Sequence, residues 1–181
     1  MNKFYFILFT VLFVNQAFSQ DKYLTKNGFV SFFSHSLVED IRADNNQVLS
    51  IIDAKTGQIA IQLLMKSFFF KKALMQEHFN ENYVESYKYP KAKFKGEIID
   101  FTSLNEDINE TEIKGTLSLH GEEKEIRTIA IVDIQDKEII VTGEFTVEVA
   151  DFNIKIPSVV INNIAKTIKI SFELHHKPYS K

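Results

Sequence analysis

Five histidines carry most of the chemical potential of this chain: His35, His78, His120, His175 and His176. A metal site built from them needs ligands that local spacing brings to one point, as in His-x-x-x-His, and none of the five is so spaced. His175 and His176 are adjacent in a strand-like stretch, where neighbours face opposite ways, so the two do not chelate together. His78 reads as a hydrogen-bonded packing residue on the apolar side of a helix, and His120, before Gly121, as a turn residue. Ser34-His35-Ser36 sets hydroxyls beside an imidazole, but no Gly-x-Ser-x-Gly turn is present to present a nucleophile. Glu77, Glu81 and Glu85 recur every four residues and read as one solvated helical stripe. The chain has no cysteine, which removes thiolate nucleophiles, thiolate metal sites, disulfides and a lipid-modified cysteine anchor. These residues predict no enzyme, no metal and no cofactor.

The apolar residues are more informative. There are 17 phenylalanines and no tryptophan. Phe32, Ile61, Leu63, Met65, Phe68, Phe70, Phe94, Phe145, Ile170 and Phe172 fall on the inward positions of alternating segments. Met75 and Phe79, four residues apart, share one face of a helix. The pattern alone leaves two readings for this set, a filled core or the lining of a lumen for an apolar chain with polar groups at its mouth.

Strands must position them. Expected strands cover Tyr23–Ser36, where Phe29 and Phe33 interrupt the alternation, Val48–Ile52, a run from Ile59 to Met65, Ala92–Phe101, Gly115–Leu119, Glu125–Ile134, Ile139–Val149 and Ile168–Leu174. The stretch from Ile139 to Val149 alternates most cleanly, and Gly143 on its inward side marks a bend or bulge. Leu37–Asn46 and Thr102–Glu112 are polar and read as irregular, the latter as a long exposed loop. Only the stretch from Phe68 to Phe94 reads as helix. There Leu74, Met75, His78, Phe79 and Tyr83 recur at helical spacing over Ala73–Tyr83, and Pro90 returns the chain to an extended path. About eight one-sided antiparallel strands predict a sandwich or a closed barrel, with the one short helix as its lid or plug.

The first residues read as an export signal: Lys3, the apolar run Phe4–Val14, and Ala17-Phe18-Ser19 as a small-x-small cleavage motif. Residues 1–19 are therefore expected to be removed, leaving one domain over 20–181, periplasmic or secreted. The apolar run is too short to span a bilayer, which takes roughly 20 residues. The net charge is −3. Without Lys3 the balance is 20 Lys and Arg against 24 Asp and Glu, which excludes a basic nucleic-acid face and argues against electrostatic attachment to anionic membranes.

Three segments carry a family resemblance. His78-Phe-Asn-Glu-Asn-Tyr-Val-Glu-Ser86 with Lys88-Tyr89-Pro90-Lys91-Ala92-Lys93-Phe94 resembles the helix-to-strand segment of the YceI-like family. Gly115-Thr-Leu-Ser-Leu-His-Gly121 is similar to its Gly-x-Leu-x-x-His-Gly element, and Asp151-Phe-Asn-Ile-Lys-Ile-Pro157 to the segment before its last strands. The resemblance implies an all-β fold, an eight-stranded antiparallel lipocalin-like barrel with one short helix inserted between strands. It also implies export to the periplasm and a lumen holding an isoprenoid or fatty chain. The helix departs from the family in its charge and amide content, at Gln76, Glu77, Asn80, Glu81 and Asn82, and a fold transfers more directly than a ligand. On this reading the twelve residues named above form the ligand-binding set. The partner is an apolar, lipid-like molecule, with no nucleic acid and no stable membrane insertion. A homodimer is left open, and a packed-barrel interaction module without a ligand is the alternative.

Overall fold

A computed structural model describes residues 22–35, 39–157 and 165–179. The expected export signal and Ser36 lie outside the described residues. Nine strands form one antiparallel sheet: β1 (Lys22–Ser34), β2 (Ile41–Asp53), β3 (Gln58–Leu64), β4 (Phe69–Phe70), β5 (Lys91–Ile98), β6 (Ile108–Leu119), β7 (Glu122–Gln135), β8 (Glu138–Glu148) and β9 (Thr167–Pro178). The order β1-β9-β8-β7-β6-β5-β3-β2 closes through β1–β2 pairing, which makes an eight-stranded barrel; two-residue β4 pairs only with the rim of β2. Closure gives every barrel strand a partner on each side over at least part of its length, which limits the free edges that are the standing liability of an all-β chain. The expected barrel is the fold, and the sandwich is not.

Two expected loops are strand instead. The first half of β2 pairs with β1 through Val30↔Asn45, Ser31↔Asp44 and Phe32↔Ala43. β6 begins at Ile108, with Asn109 opposite Val132. Both halves hid from the pattern for one reason: their inward positions carry small or polar residues. Ala43 and Asn45 are fully buried. The Asn45 Nδ2 donates to the Leu64 carbonyl at 3.1 Å and its Oδ1 accepts from the Gln47 amide at 2.9 Å. Asn109 Nδ2 donates to the carbonyls of Asp107 and Asn105, and the Thr111 hydroxyl to that of Ile99 at 2.8 Å. A buried polar group is tolerable when so paired, but it breaks the alternation of apolar residues that marks a strand.

The barrel has two unlike halves. At the end formed by the β2–β3 and β7–β8 turns, Val48, Ile52, Val132, Val141 and Leu174 are fully buried and fill the interior. The β8 alternation holds as expected, with Ile139, Val141 and Val147 buried and Glu144, Thr146 and Glu148 exposed. Glycine is required under one ring here: a Cβ on Gly143 would lie 2.6 Å from the Phe172 ring. That end also holds a buried polar pair. His176 and Ser50 are both fully buried, and the His176 Nε2 lies 2.8 Å from the Ser50 Oγ while Nδ1 lies 3.1 Å from the Ile139 carbonyl. A carbonyl only accepts, so Nδ1 carries the proton and Nε2 accepts from the hydroxyl. Burial lowers the His176 pKa to about 4, so the ring is neutral near pH 7.

Candidate functional site

At the opposite end the interior is open. A cavity of about 360 Å³ runs under the mouth, within the range of roughly 300–1,000 Å³ of small-molecule pockets. All twelve residues picked out from the sequence line it. So do residues the sequence reading passed over, including Ile113, Leu117, Ile126 and Ile154. Leu117 and Ile126 lie in strands already recognised, and Ile113 stands two residues before one of them, where extending the same alternation would have found it. Most of the wall is hydrocarbon; Ser34, Glu39, His78, Tyr83 and Thr128 supply polar groups. Burial raises the Tyr83 pKa, so its phenol stays protonated and able to donate.

The helical segment crosses the mouth in two parts. α1 (Ala73–His78) is regular, and Phe79–Tyr83 continues as a wider π-helical turn, closed by the Val84 amide on the Phe79 carbonyl at 2.9 Å. The Asn80 Nδ2 donates to the Gln76 carbonyl at 2.8 Å across the junction. The widened turn keeps Tyr83 in phase with Phe79 four residues earlier. Met75, Phe79 and Tyr83 pack inward, while Leu74 and His78 are exposed. His78 is thus a rim residue and not the packing histidine expected.

Phe79 seats in an aromatic socket. Its ring stacks on Phe32 at 5.3 Å and lies 5.7 Å from Phe68 and 5.0 Å from Phe70. Such pairs contribute about 0.5–1.5 kcal/mol each beyond area burial. The far end of the segment is clipped by His120. Its Nδ1 lies 2.9 Å from the Phe152 carbonyl and its Nε2 3.0 Å from the Glu85 carboxylate, with the Tyr89 ring 4.4 Å away. His120 and Gly121 have φ of 52° and 84°, the pair of positive values a tight two-residue hairpin turn needs. The expected turn role of His120 is therefore correct and incomplete. Glu85 likewise leaves the solvated stripe expected for it.

The other histidines are apart from one another. His175 is outward, between Glu173 (2.7 Å) and Glu138 (3.4 Å), and the hydrogen bond to Glu173 raises its pKa. His35 contacts Asp40 at 2.6 Å. Among the described residues no group of three or more His, Cys, Asp or Glu side chains is placed to hold a metal. No helix among them is long and apolar enough to cross a membrane.

A closed, eight-stranded antiparallel barrel with an apolar lumen under a short helical plug defines a lipocalin-like β-barrel. The chain belongs to the YceI-like family: the model of the YceI-like domain matches residues 22–176. Solved structures share the fold at low identity. A polyisoprenoid binding domain from Saccharophagus degradans is 16% identical, with a TM-score of 0.76 over 88% of this chain and 99% of that one. Burkholderia cenocepacia BcnA is 15% identical, with a TM-score of 0.70 over 82% and 95%. A Campylobacter jejuni YCEI protein is 14% identical, with a TM-score of 0.64 over 81% and 90%. No curated protein matches the chain.

Proposed function

We propose that this chain is an exported binding protein that holds one long apolar chain, an isoprenoid or fatty chain, in the mouth half of its barrel, as a carrier or store. The observation that carries this reading is the cavity itself: about 360 Å³ of unfilled space, walled by hydrocarbon, in a barrel whose other half is packed solid. An empty apolar void forfeits contacts that side chains would otherwise make, so a cavity this large serves an occupant. Burying roughly 400 Å² of ligand surface contributes about 10 kcal/mol before association costs. The twelve lining residues named from the sequence are the proposed contacts. The S. degradans relative, described as binding polyisoprenoid, supports an isoprenoid chain as the first candidate. Removal of residues 1–19 and residence in the periplasm or outside the cell complete the reading, with one barrel domain over 20–181.

A packed-barrel interaction module requires a filled interior, which the mouth half lacks. Catalysis finds no support in the histidine geometry. Native mass spectrometry of protein purified from its own host tests the proposal. A bound species of lipid mass, lost on organic extraction, is the expected result; protein that is uniformly apo, and takes up no prenol or fatty acid in vitro, overturns it.

A further inference from the structure

The barrel wall is not continuous. β7 and β8 pair from Gln135↔Glu138 up to Ala130↔Gly143, and there the ladder stops. Both strands continue toward the mouth, each still paired on its other side: β7 with β6 as far as Leu119↔Glu122, and β8 with β9 as far as Glu148↔Thr167. Between them residues 124–129 of β7 and 144–148 of β8 face one another without ladder pairing, a slot in the hydrogen-bonded wall. Ile126 and Thr128 on one edge, and Phe145 and Val147 on the other, line the cavity, so the slot borders it directly. Its foot is tied by the Thr128 hydroxyl donating to the Glu144 carbonyl at 2.6 Å. Its head is framed by the His120–Phe152 contact and by Lys124 and Asp151 at 3.5 Å. Among the described residues no other strand pairs with either edge. Ile129 and Ile131 stand outside the foot of the slot, 56% and 38% exposed.

A second seam offers a contrast. β2 and β3 also part, above Leu49↔Gln62, but β4 pairs with the freed part of β2, and Met65, Phe68 and Phe70 fill the space beneath. The β7–β8 seam has no inserted strand among the described residues; at its head the turn Val149–Phe152 packs against β7 with Val149 and Phe152 buried, and the unpaired stretch lies below that turn.

Resting on the binding role proposed above, we infer that the β7–β8 slot is the route by which the apolar chain enters and leaves, and that the ligand is an amphiphile whose polar head stays in the slot. The helical plug is held by three ring contacts on Phe79 and by the Glu85–His120 clip. Lifting it exposes the whole aromatic socket. Parting the slot breaks no ladder hydrogen bond, because none spans it above Ala130↔Gly143. A chain slipping in broadside meets Ile129 and Ile131 outside, then Ile126 and Phe145 inside. Unpaired strand edges present backbone N–H and C=O groups in a row. Those of β7 and β8 face each other across the slot, where a carboxylate, hydroxyl or phosphate head finds donors without entering the hydrocarbon lining. A wholly apolar hydrocarbon makes no use of them.

The absence of cysteine makes the test direct. Extending the Ala130↔Gly143 register brings Arg127 opposite Thr146, both exposed and outside the cavity lining, so Arg127→Cys/Thr146→Cys is bridged by a disulfide or, if the edges stay apart, by a short bis-maleimide. Glu39→Cys/Lys72→Cys, at an ion pair between the rim and the start of the plug, bridges the lid instead. The probe is a fluorescent straight-chain fatty acid, followed by stopped flow and by equilibrium titration. Each bridged protein is compared with its own unbridged form, so that the substitutions themselves cancel; a closed portal slows uptake and release alike and leaves the affinity of the unbridged form unchanged. Bridging the slot should lower both rates by about tenfold or more, with reduction of the disulfide restoring them, and bridging the lid should not. Matched fatty acid and fatty alkane probes should differ, the alkane binding more weakly. Exchange at the unbridged rate with the slot closed, or equal slowing by the lid bridge, overturns the slot while leaving the binding role intact. Failure of the unbridged protein to take up any probe overturns both.

Discussion

The His176 imidazole and the Ser50 hydroxyl meet at 2.8 Å in the packed end of the barrel, joining β9 to β2 across the interior. Burial holds the His176 pKa at about 4, below the ordinary value of 6.5. Folded protein therefore stays neutral there while unfolded protein takes up a proton. Stability is full above pH 6.5 and falls as the pH drops from 6.5 toward 4, by about 3 kcal/mol in total. Urea midpoints measured from pH 7.5 to 4.5 should fall accordingly, and His176→Gln should flatten the profile while lowering stability at pH 7.5. An unchanged slope in the variant would show that other groups govern the acid limb.

Leu174 and Phe145 separate the two halves energetically. Leu174 is fully buried among packed neighbours, so Leu174→Ala should cost about 2–5 kcal/mol. Phe145 borders space that is already open, so its truncation creates less new void and should cost less than Leu174→Ala. Glu144→Ala, on the exposed face, should stay within about 0.5 kcal/mol of neutral. Chemical denaturation of the three variants ranks them.

Phe79→Asp places a carboxylate in the socket of Phe32, Phe68 and Phe70, where an unpaired charge is costly. The helical segment has fewer packed neighbours than any barrel strand, so it should swing out while the barrel survives. The expected variant keeps its β-rich circular dichroism and loses co-purified lipid. Wild-type lipid content in folded Phe79→Asp protein would remove the plug from the binding site.

Gly121 tests the clip. Its φ of 84° and the Tyr89 ring 2.9 Å from where a Cβ would stand make Gly121→Ala strained twice over. The expected loss is about 1–2 kcal/mol, with faster proteolysis near residue 85 as the plug loosens. A stability equal to wild type would mean the turn relaxes without disturbing Tyr89.

The sequence exposed the barrel where inward positions are apolar, most clearly along Ile139, Val141, Phe145 and Val147. It concealed strand where Ala43, Asn45, Asn109 and Thr111 face inward: Ala43 is small, backbone groups satisfy the other three side chains, and periodicity registers neither. The twelve proposed contacts were legible since each lies on an apolar inward face. Whether such a face lines space or meets a neighbour was not, because Leu174 and Phe172 differ only in what stands opposite. The histidines illustrate the same boundary. Spacing alone shows that His175 and His176 face apart, while only the fold shows that one of them is buried against Ser50. The extent of β7–β8 pairing was hidden for a further reason: both strands alternate correctly to their ends, and a ladder's length depends on the partner's path.

The two-part interior has an evolutionary consequence. Residues that secure the fold, such as Val48, Val132 and Leu174, are not those that meet the cavity. Most mutations destabilise, and proteins sit near a stability threshold; a binding site cut into the only core of a small domain must change under that constraint. Here Phe145, Phe172 or Ile126 can be exchanged for another apolar residue without eroding the packed end. Selection for a new cargo can then proceed through intermediates that remain folded, which leaves the lumen the part of this barrel most open to divergence.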